Sequence, residues 1–167
     1  MQMLAAATLP LAILAALGAG MVSGLFFVFS NTIMAALSRM PPEQGMAAMQ
    51  HINRVILNPV FLGIFVGTAV LSLLLLVWSG MNLRHPAAPW LLIAALAYLV
   101  GSFGLTRALN VPLNITLDRL QASAAIAATQ WPAYVGPWLR WNHVRTAASI
   151  VATLGFMWGA VQAGRVG

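Results

Sequence analysis

Apolar residues in this chain come in blocks rather than in alternation. Residues 1–38 carry no charged side chain, and neither do 55–83, 86–106 or 146–164. An uncharged apolar run of about 18 residues or more is long enough to cross a bilayer as a helix. The pattern therefore predicts four spans, over roughly residues 4–37, 59–79, 89–110 and 137–163. Between the first two, Met46, Met49, Ile52 or Asn53, and Ile56 recur at helical spacing, while Gln44, Gln50 and Arg54 are polar. That spacing predicts a short amphipathic helix over 42–56 lying in the interface plane. The expected fold class is all-α: a transmembrane four-helix bundle with a short amphipathic interfacial segment between helices one and two, in a single membrane domain of residues 1–167.

Proline, glycine and asparagine punctuate these blocks. Arg39, Pro41 and Pro42 stop the first helix, and Pro10 is a candidate kink within it. Asn58-Pro59 is a strong start signal, since Asn caps well and Pro is favoured at the first helical position. Pro112 is expected to end or kink the third helix, and Pro137 to restart the chain after a second polar connection over 115–136. Gly18, Gly20 and Gly24 make a small-residue face suited to close helix approach, which also admits a homo-oligomer. Small residues near Gly18-Ala19-Gly20 imitate a signal-peptide cleavage site, but there is no positive n-region and the apolar run continues to Leu37, so the segment reads as a retained first helix. Four spans put both termini and the 80–88 turn on one side and the two long connections on the other.

Composition fixes the class and removes several functions. The chain is 61% hydrophobic and 6% charged, with a mean hydropathy of +0.89. The expected setting is that of a multi-pass integral membrane protein in a bacterial cytoplasmic membrane. The net charge of +6 comes from eight arginines against one Glu and one Asp, with no lysine. The arginines are scattered at helix ends and form no basic stripe, so no nucleic acid is expected as a partner. The arginine count favours long connections in the cytoplasm, but arginines belonging to a buried site would not count, and orientation stays open. With no cysteine there is no disulfide, thiolate ligand or cysteine nucleophile.

Against this background the polar residues cluster. Asn31, Asn53, Asn58, Asn110, Asn114 and Asn142, six of seven asparagines, fall where apolar segments begin or end, all toward one side of the membrane. With them come His51, Arg54, Arg107, Trp141, His143 and Arg145. Polar groups near hydrocarbon are expensive and tend to be paired or functional. Asn142, Arg145 and Ser149 form one helical stripe, and Arg107 and Asn110 lie three apart. His51, Arg54 and Asn58 share a face if the amphipathic helix continues through 58. His143 points about 100° from Asn142, so not every member can face one cavity. Capping alone accounts for Asn58, and a proline kink partly for Asn110 and Asn114. Arg145 has a carbonyl or Asp118 as a candidate partner.

The residue inventory narrows the chemistry. A carboxylate-bridged di-iron centre needs several acids, and only Glu43 and Asp118 exist. Three histidines are too few for a desaturase-type centre, and no metal site is expected. A proton-coupled carrier usually has an intramembrane acid, and none is present. A haem on His51 or His143 is an alternative with little else to support it. What remains is hydrogen-bond chemistry: arginine and asparagine donors stabilise an oxyanion or enolate, and a histidine accepts a proton near neutral pH. That suits an apolar phenolic or carbonyl-bearing substrate arriving from the lipid bilayer.

Four ordered motifs carry a resemblance to a known family: Gly24-Leu25-Phe26-Phe27-Val28-Phe29-Ser30-Asn31, Met49-Gln50-His51-Ile52-Asn53-Arg54 with Asn58-Pro59, Asn110-Val111-Pro112-Leu113-Asn114, and Trp141-Asn142-His143-Val144-Arg145-Thr146. They make the chain resemble the anthrone-oxygenase-like family of small four-span membrane proteins. Members of that family look like oxidases that turn anthrones into anthraquinones with molecular oxygen and no metal or flavin, and the resemblance makes cofactor-free oxidation of an apolar phenolic or anthrone-like compound the expectation here. On that reading His143, Arg145 and Asn142 are the catalytic candidates, His143 or His51 being the base. Asn110, Asn114, His51, Asn58, Trp141 and Asn31 are the substrate-binding candidates. The alternative is a non-catalytic membrane protein that binds or passes a lipophilic small molecule, or a subunit of a membrane assembly.

Overall fold

The computed structural model describes residues 2–165, with side chains from Ala7 onward. Among the described residues there is no strand. Five helices follow one another. Helix α1 (2–37) runs as an α-helix over Gln2–Val28, passes through a π-helical segment at Phe29–Ile33 and closes with Met34–Leu37. Helix α2 is Pro42–Val55 and α3 is Pro59–Met81. Helix α4 spans Ala88–Asp118, with π-helical stretches at Ala97–Gly104 and Thr106–Asn110 inside it. Helix α5 is Ala124–Gly164. Four of these, all but α2, are long and apolar enough to cross a membrane.

The four spans form a ring. α1 packs on α3 and α5, and α4 packs on the same two helices from the opposite corner. Small residues let the backbones approach. Ala12, Ala15, Ala19, Ala94, Ala95 and Ala152 are fully buried at the helix contacts. A Cβ added to Gly155 would stand 2.8 Å from Ala94 Cβ and 3.2 Å from the Trp90 carbonyl. In lipid, where burying apolar surface gains little, such packing is what holds spans together. The glycine face expected on α1 is narrower than its spacing suggests. Gly18 meets Thr68 of α3, Gly20 stands at ordinary contact distance from Thr153, and Gly24 faces open space.

Two boundaries differ from the sequence expectation, and both involve proline. Pro112 does not end α4. The turn before it is widened, with the Val111 N–H bonding the Thr106 carbonyl five residues back. That wider turn makes room for the pyrrolidine ring, and Pro112 then opens the final α-helical segment Val111–Asp118. Pro137 likewise does not restart the chain, because α5 begins at Ala124 and runs through Pro132 and Pro137. Both prolines are exposed while Trp131, Tyr134 and Trp138 on the other face are buried. Aromatic burial on that face offsets the roughly 3 kcal/mol that an interior proline costs. At 41 residues, α5 is about 60 Å long, twice a hydrocarbon core of about 30 Å.

The excess length is what builds the site. α1, α4 and α5 all project past the start of α3 on the side of the long connections. α2 lies against α5 and the end of α4. Its Met46 and Met49 are buried with Phe29, Met34, Leu117, Trp131 and Trp138 in a second core separate from the alanine-rich one. Gln50 fastens α2 by donating to the Leu117 and Leu120 carbonyls at 2.8 and 2.9 Å. The amphipathic segment is thus a roof over the bundle.

The packing makes one clear expectation. Gly155→Val should lower the thermal midpoint of the detergent-solubilised protein, by an overpacking cost of about 1–3 kcal/mol. Gly24→Ala should leave the midpoint unchanged or raise it. Equal midpoints for the two variants would contradict the close α4–α5 contact.

Candidate functional site

On α5 the positions Trp131, Tyr134, Trp138, Asn142, Arg145, Ser149, Ala152, Phe156 and Gly159 are all buried, three or four residues apart. This is the inward stripe of a helix. It is apolar at both ends and polar in the middle, so the fold brings Asn142 and Arg145 into the interior together. Asn142 is fully buried and Arg145 only 4% exposed.

Arg145 is held from several sides. Its Nη2 donates to Asn142 Oδ1 at 2.6 Å and its Nη1 to Thr106 Oγ1 of α4 at 3.1 Å. The guanidinium carbon lies 4.2 Å from the centre of the Phe26 ring and 5.4 Å from that of Trp138, both within cation–π range. Asn142 passes the constraint on to α1, donating from Nδ2 to the Phe26 carbonyl at 2.8 Å and to Ser30 Oγ at 2.6 Å. The amide orientation is fixed at both ends, since arginine only donates and a carbonyl only accepts. Arg145 Nε has no hydrogen-bond partner. Among the described residues the one ion pair is Arg54–Asp118, so Arg145 is a buried cation without a carboxylate.

A cavity of about 310 Å³ opens beside this guanidinium, at the small end of the range for small-ligand sites. Phe26 and Phe29 of α1, Met49 and Ile52 of α2 and Phe61 of α3 contribute apolar walls. The polar groups on its surface are few: Asn53, Arg54, Thr106, Asn114, Asp118, Arg119, Asn142 and Arg145. Asn114 is a hub. Its Oδ1 accepts from Tyr134 Oη at 2.9 Å and from Trp138 Nε1 at 2.8 Å. Asn114 itself lines the cavity. At the mouth, Arg54 Nη2 and Nε reach Asp118 Oδ1 at 2.7 and 2.8 Å.

Of the residues singled out in the sequence, Asn142, Arg145, Asn114, Asn53 and Arg54 line the cavity. Asn110 is buried next to it, donating to the Trp138 carbonyl at 3.2 Å, and does not line it. The others lie elsewhere. His143 is exposed on the outer face of α5, one residue off the buried stripe. His51 is exposed on α2, and Asn31 is exposed at the end of α1. Trp141 is half-buried outside the cavity lining. Asn58 is the N-cap of α3: its side chain accepts from the Phe61 N–H at 3.0 Å, and α2 ends before it, so His51, Arg54 and Asn58 do not share a helix face. Sequence reasoning missed Ser30, Thr106, Tyr134 and Trp138. The last two were findable, because they continue the Asn142–Arg145 stripe by steps of four. The Phe26 carbonyl had no signal at all.

The family model described as anthrone oxygenase matches residues 46–155. That range runs from α2 into α5 and so includes every wall of the cavity except the one supplied by α1. No curated protein and no solved structure matches the chain.

The geometry gives Asn142 a structural weight that can be measured. Asn142→Ala should strip the partner from Arg145 Nη2 and leave a buried charged donor unsatisfied, costing about 1–3 kcal/mol or more. A clear fall in thermal midpoint is expected, while Asn31→Ala should fall little. A stable Asn142→Ala protein would show that the network does not hold α1 to α5.

Proposed function

The chain belongs to the anthrone oxygenase family, and on that premise we propose that it oxidises an apolar phenolic or anthrone-like compound with molecular oxygen, without a cofactor. The single observation that carries this reading is Arg145: a buried guanidinium with no carboxylate partner, facing a cavity with mainly apolar walls. Such a group favours an occupant that acquires negative charge on oxygen while the rest of it stays apolar.

An anthrone has that property. Loss of a proton from its methylene carbon leaves an anion whose charge rests largely on the former carbonyl oxygen. Arg145, with Asn142 fixing its orientation, holds that oxygen and lowers the cost of ionisation. The electron-rich carbon then gives its electrons to oxygen and forms a carbon–oxygen bond as a peroxide. Protonation yields the hydroperoxide. Loss of the remaining hydrogen on that carbon as a proton, with cleavage of the O–O bond, leaves the second carbonyl and one water. Substrate plus dioxygen thus equals quinone plus water. The apolar walls contributed by Phe26, Phe29, Met49, Ile52 and Phe61 suit a flat aromatic body. Asn114 offers its amide to a second oxygen function on it.

The exposure of both His143 and His51 favours a second reading, in which the same cavity binds or passes a lipophilic anion without turning it over. Oxygen uptake separates the two. Purified protein supplied with a simple anthrone should consume one oxygen per anthrone, and Arg145→Lys should slow this by about 10²–10³-fold while circular dichroism stays unchanged. His143→Ala and His51→Ala should keep rates within a few-fold of the parent. Binding of anthrone with no oxygen uptake would favour the second reading. Equal rates for Arg145→Lys would remove Arg145 from the chemistry.

A further inference from the structure

The reaction proposed above needs a proton acceptor, and neither histidine favoured for the role lines the cavity. The titratable residues that do line it are Arg54, Asp118, Arg119 and Arg145. Only one of these can take up a proton. The chain's single other carboxylate, Glu43, sits in the first turn of α2 and is not part of the wall. The third histidine, His85, lies in the turn between α3 and α4 at the opposite end of the bundle.

We infer that Asp118 is the catalytic base of this site, taking the C–H proton from an anthrone-like substrate whose oxygen lies against Arg145. The inference rests on the reading given under the proposed function. Three observations carry it. Asp118 ends α4 and lines the same cavity as Arg145, so one occupant can touch both. Both Arg54 contacts fall on Oδ1, at 2.7 and 2.8 Å, so the pair pins the carboxylate at the mouth and leaves Oδ2 without a bond to Arg54. The side chain is 43% exposed, so a captured proton has a route to water.

The step balances without an oxidant. Asp118 Oδ2 takes the proton from the methylene carbon. The C–H electron pair stays with the substrate and moves into the ring as the carbonyl oxygen becomes an anionic, phenolate-type oxygen. Negative charge thus passes from the carboxylate at the mouth to the oxygen at the buried guanidinium. A carboxylate can serve as base for a carbon acid when fixed donors stabilise the enolate that forms. The division of labour explains why the cavity has one acid at its wet end and one cation at its dry end.

The test is deuterium exchange at the methylene carbon of a simple anthrone, run under nitrogen in heavy water with the detergent-purified protein. The parent should accelerate exchange. Asp118→Asn should lose this acceleration by about 100-fold or more, and Asp118→Glu should recover part of it. Arg54→Gln breaks the same ion pair but keeps the carboxylate, so it should lose part of the acceleration, clearly less than Asp118→Asn. Exchange by Asp118→Asn at the parent rate would overturn the assignment. So would a loss in Arg54→Gln as deep as that in Asp118→Asn, which would make the ion pair the structural cause. Oxygen uptake by the same preparations separates this inference from the reading beneath it. Exchange without oxygen uptake keeps Asp118 as base and removes the oxygenase. Oxygen uptake that Asp118→Asn leaves intact does the reverse. A parent protein that does neither overturns both.

Discussion

A guanidinium buried inside a membrane bundle is the constraint around which this structure is organised. Arg145 lies against Phe26, and Phe26 packs edge-on against Phe65. Phe65 is six residues past the start of α3, so the charge sits about two helical turns inside that end of the bundle. Removing such a group from water costs several kcal/mol. The fold answers with a carbonyl-fixed amide, a hydroxyl and two aromatic faces, drawn from three helices. The interactions that make the charge tolerable are therefore the same ones that set α1, α4 and α5 in register. Hydrogen bonds between spans stand in for a hydrophobic driving force that lipid does not supply.

The irregular turns follow from this arrangement. Ser30, which accepts from Asn142, lies in the π-helical segment of α1, and Thr106, which accepts from Arg145, opens one in α4. An extra residue per turn shifts the direction of the side chains that follow it, which is one reason such turns accompany functional sites. In α4 the same widened turn also accommodates Pro112. One local feature thus keeps the helix continuous to Asp118 and gives the cavity its carboxylate at the far end of a rigid element. Had the helix ended at Asn110, neither Asn114 nor Asp118 would have a fixed place opposite α2.

The fold was legible because its signal is coarse. Four uncharged blocks and an amphipathic interval need no side-chain detail, and the spans and the five-helix order match them. Helix ends were misjudged where proline was given more weight than burial, as at Pro112 and Pro137. The site was legible in part. Helical spacing already joined Asn142 to Arg145 and turned His143 away by about 100° from the first and about 160° from the second, and the buried stripe of α5 keeps that separation. The weight given to His143 came from its chemistry, against its angle. Asn58 was readable as a cap from the proline that follows it. What could not be read is which helices supply the partners. Phe26 meets Arg145 through its ring and Asn142 through its carbonyl, and no residue type encodes a carbonyl's position in space.

The distribution of charge sharpens what the cavity is for. A structural arginine at this depth would be expected to carry a carboxylate partner, and the chain has one within the same cavity. Yet Asp118 is paired with Arg54 at the surface, where an ion pair contributes little, and Arg145 is left with neutral partners. Swapping partners would neutralise the buried charge, but at the cost of desolvating Asp118 and closing the space between them. The observed pairing leaves Asp118 with Arg54 on the exposed side of the cavity and Arg145 on its buried side. A neutral occupant gains a hydrogen bond from the guanidinium but not an opposite charge. An occupant that enters neutral and becomes an anion at its oxygen gains at the guanidinium what the carboxylate gives up. On the function proposed above, the space beside Arg145 is a place for charge that the substrate brings only when it ionises.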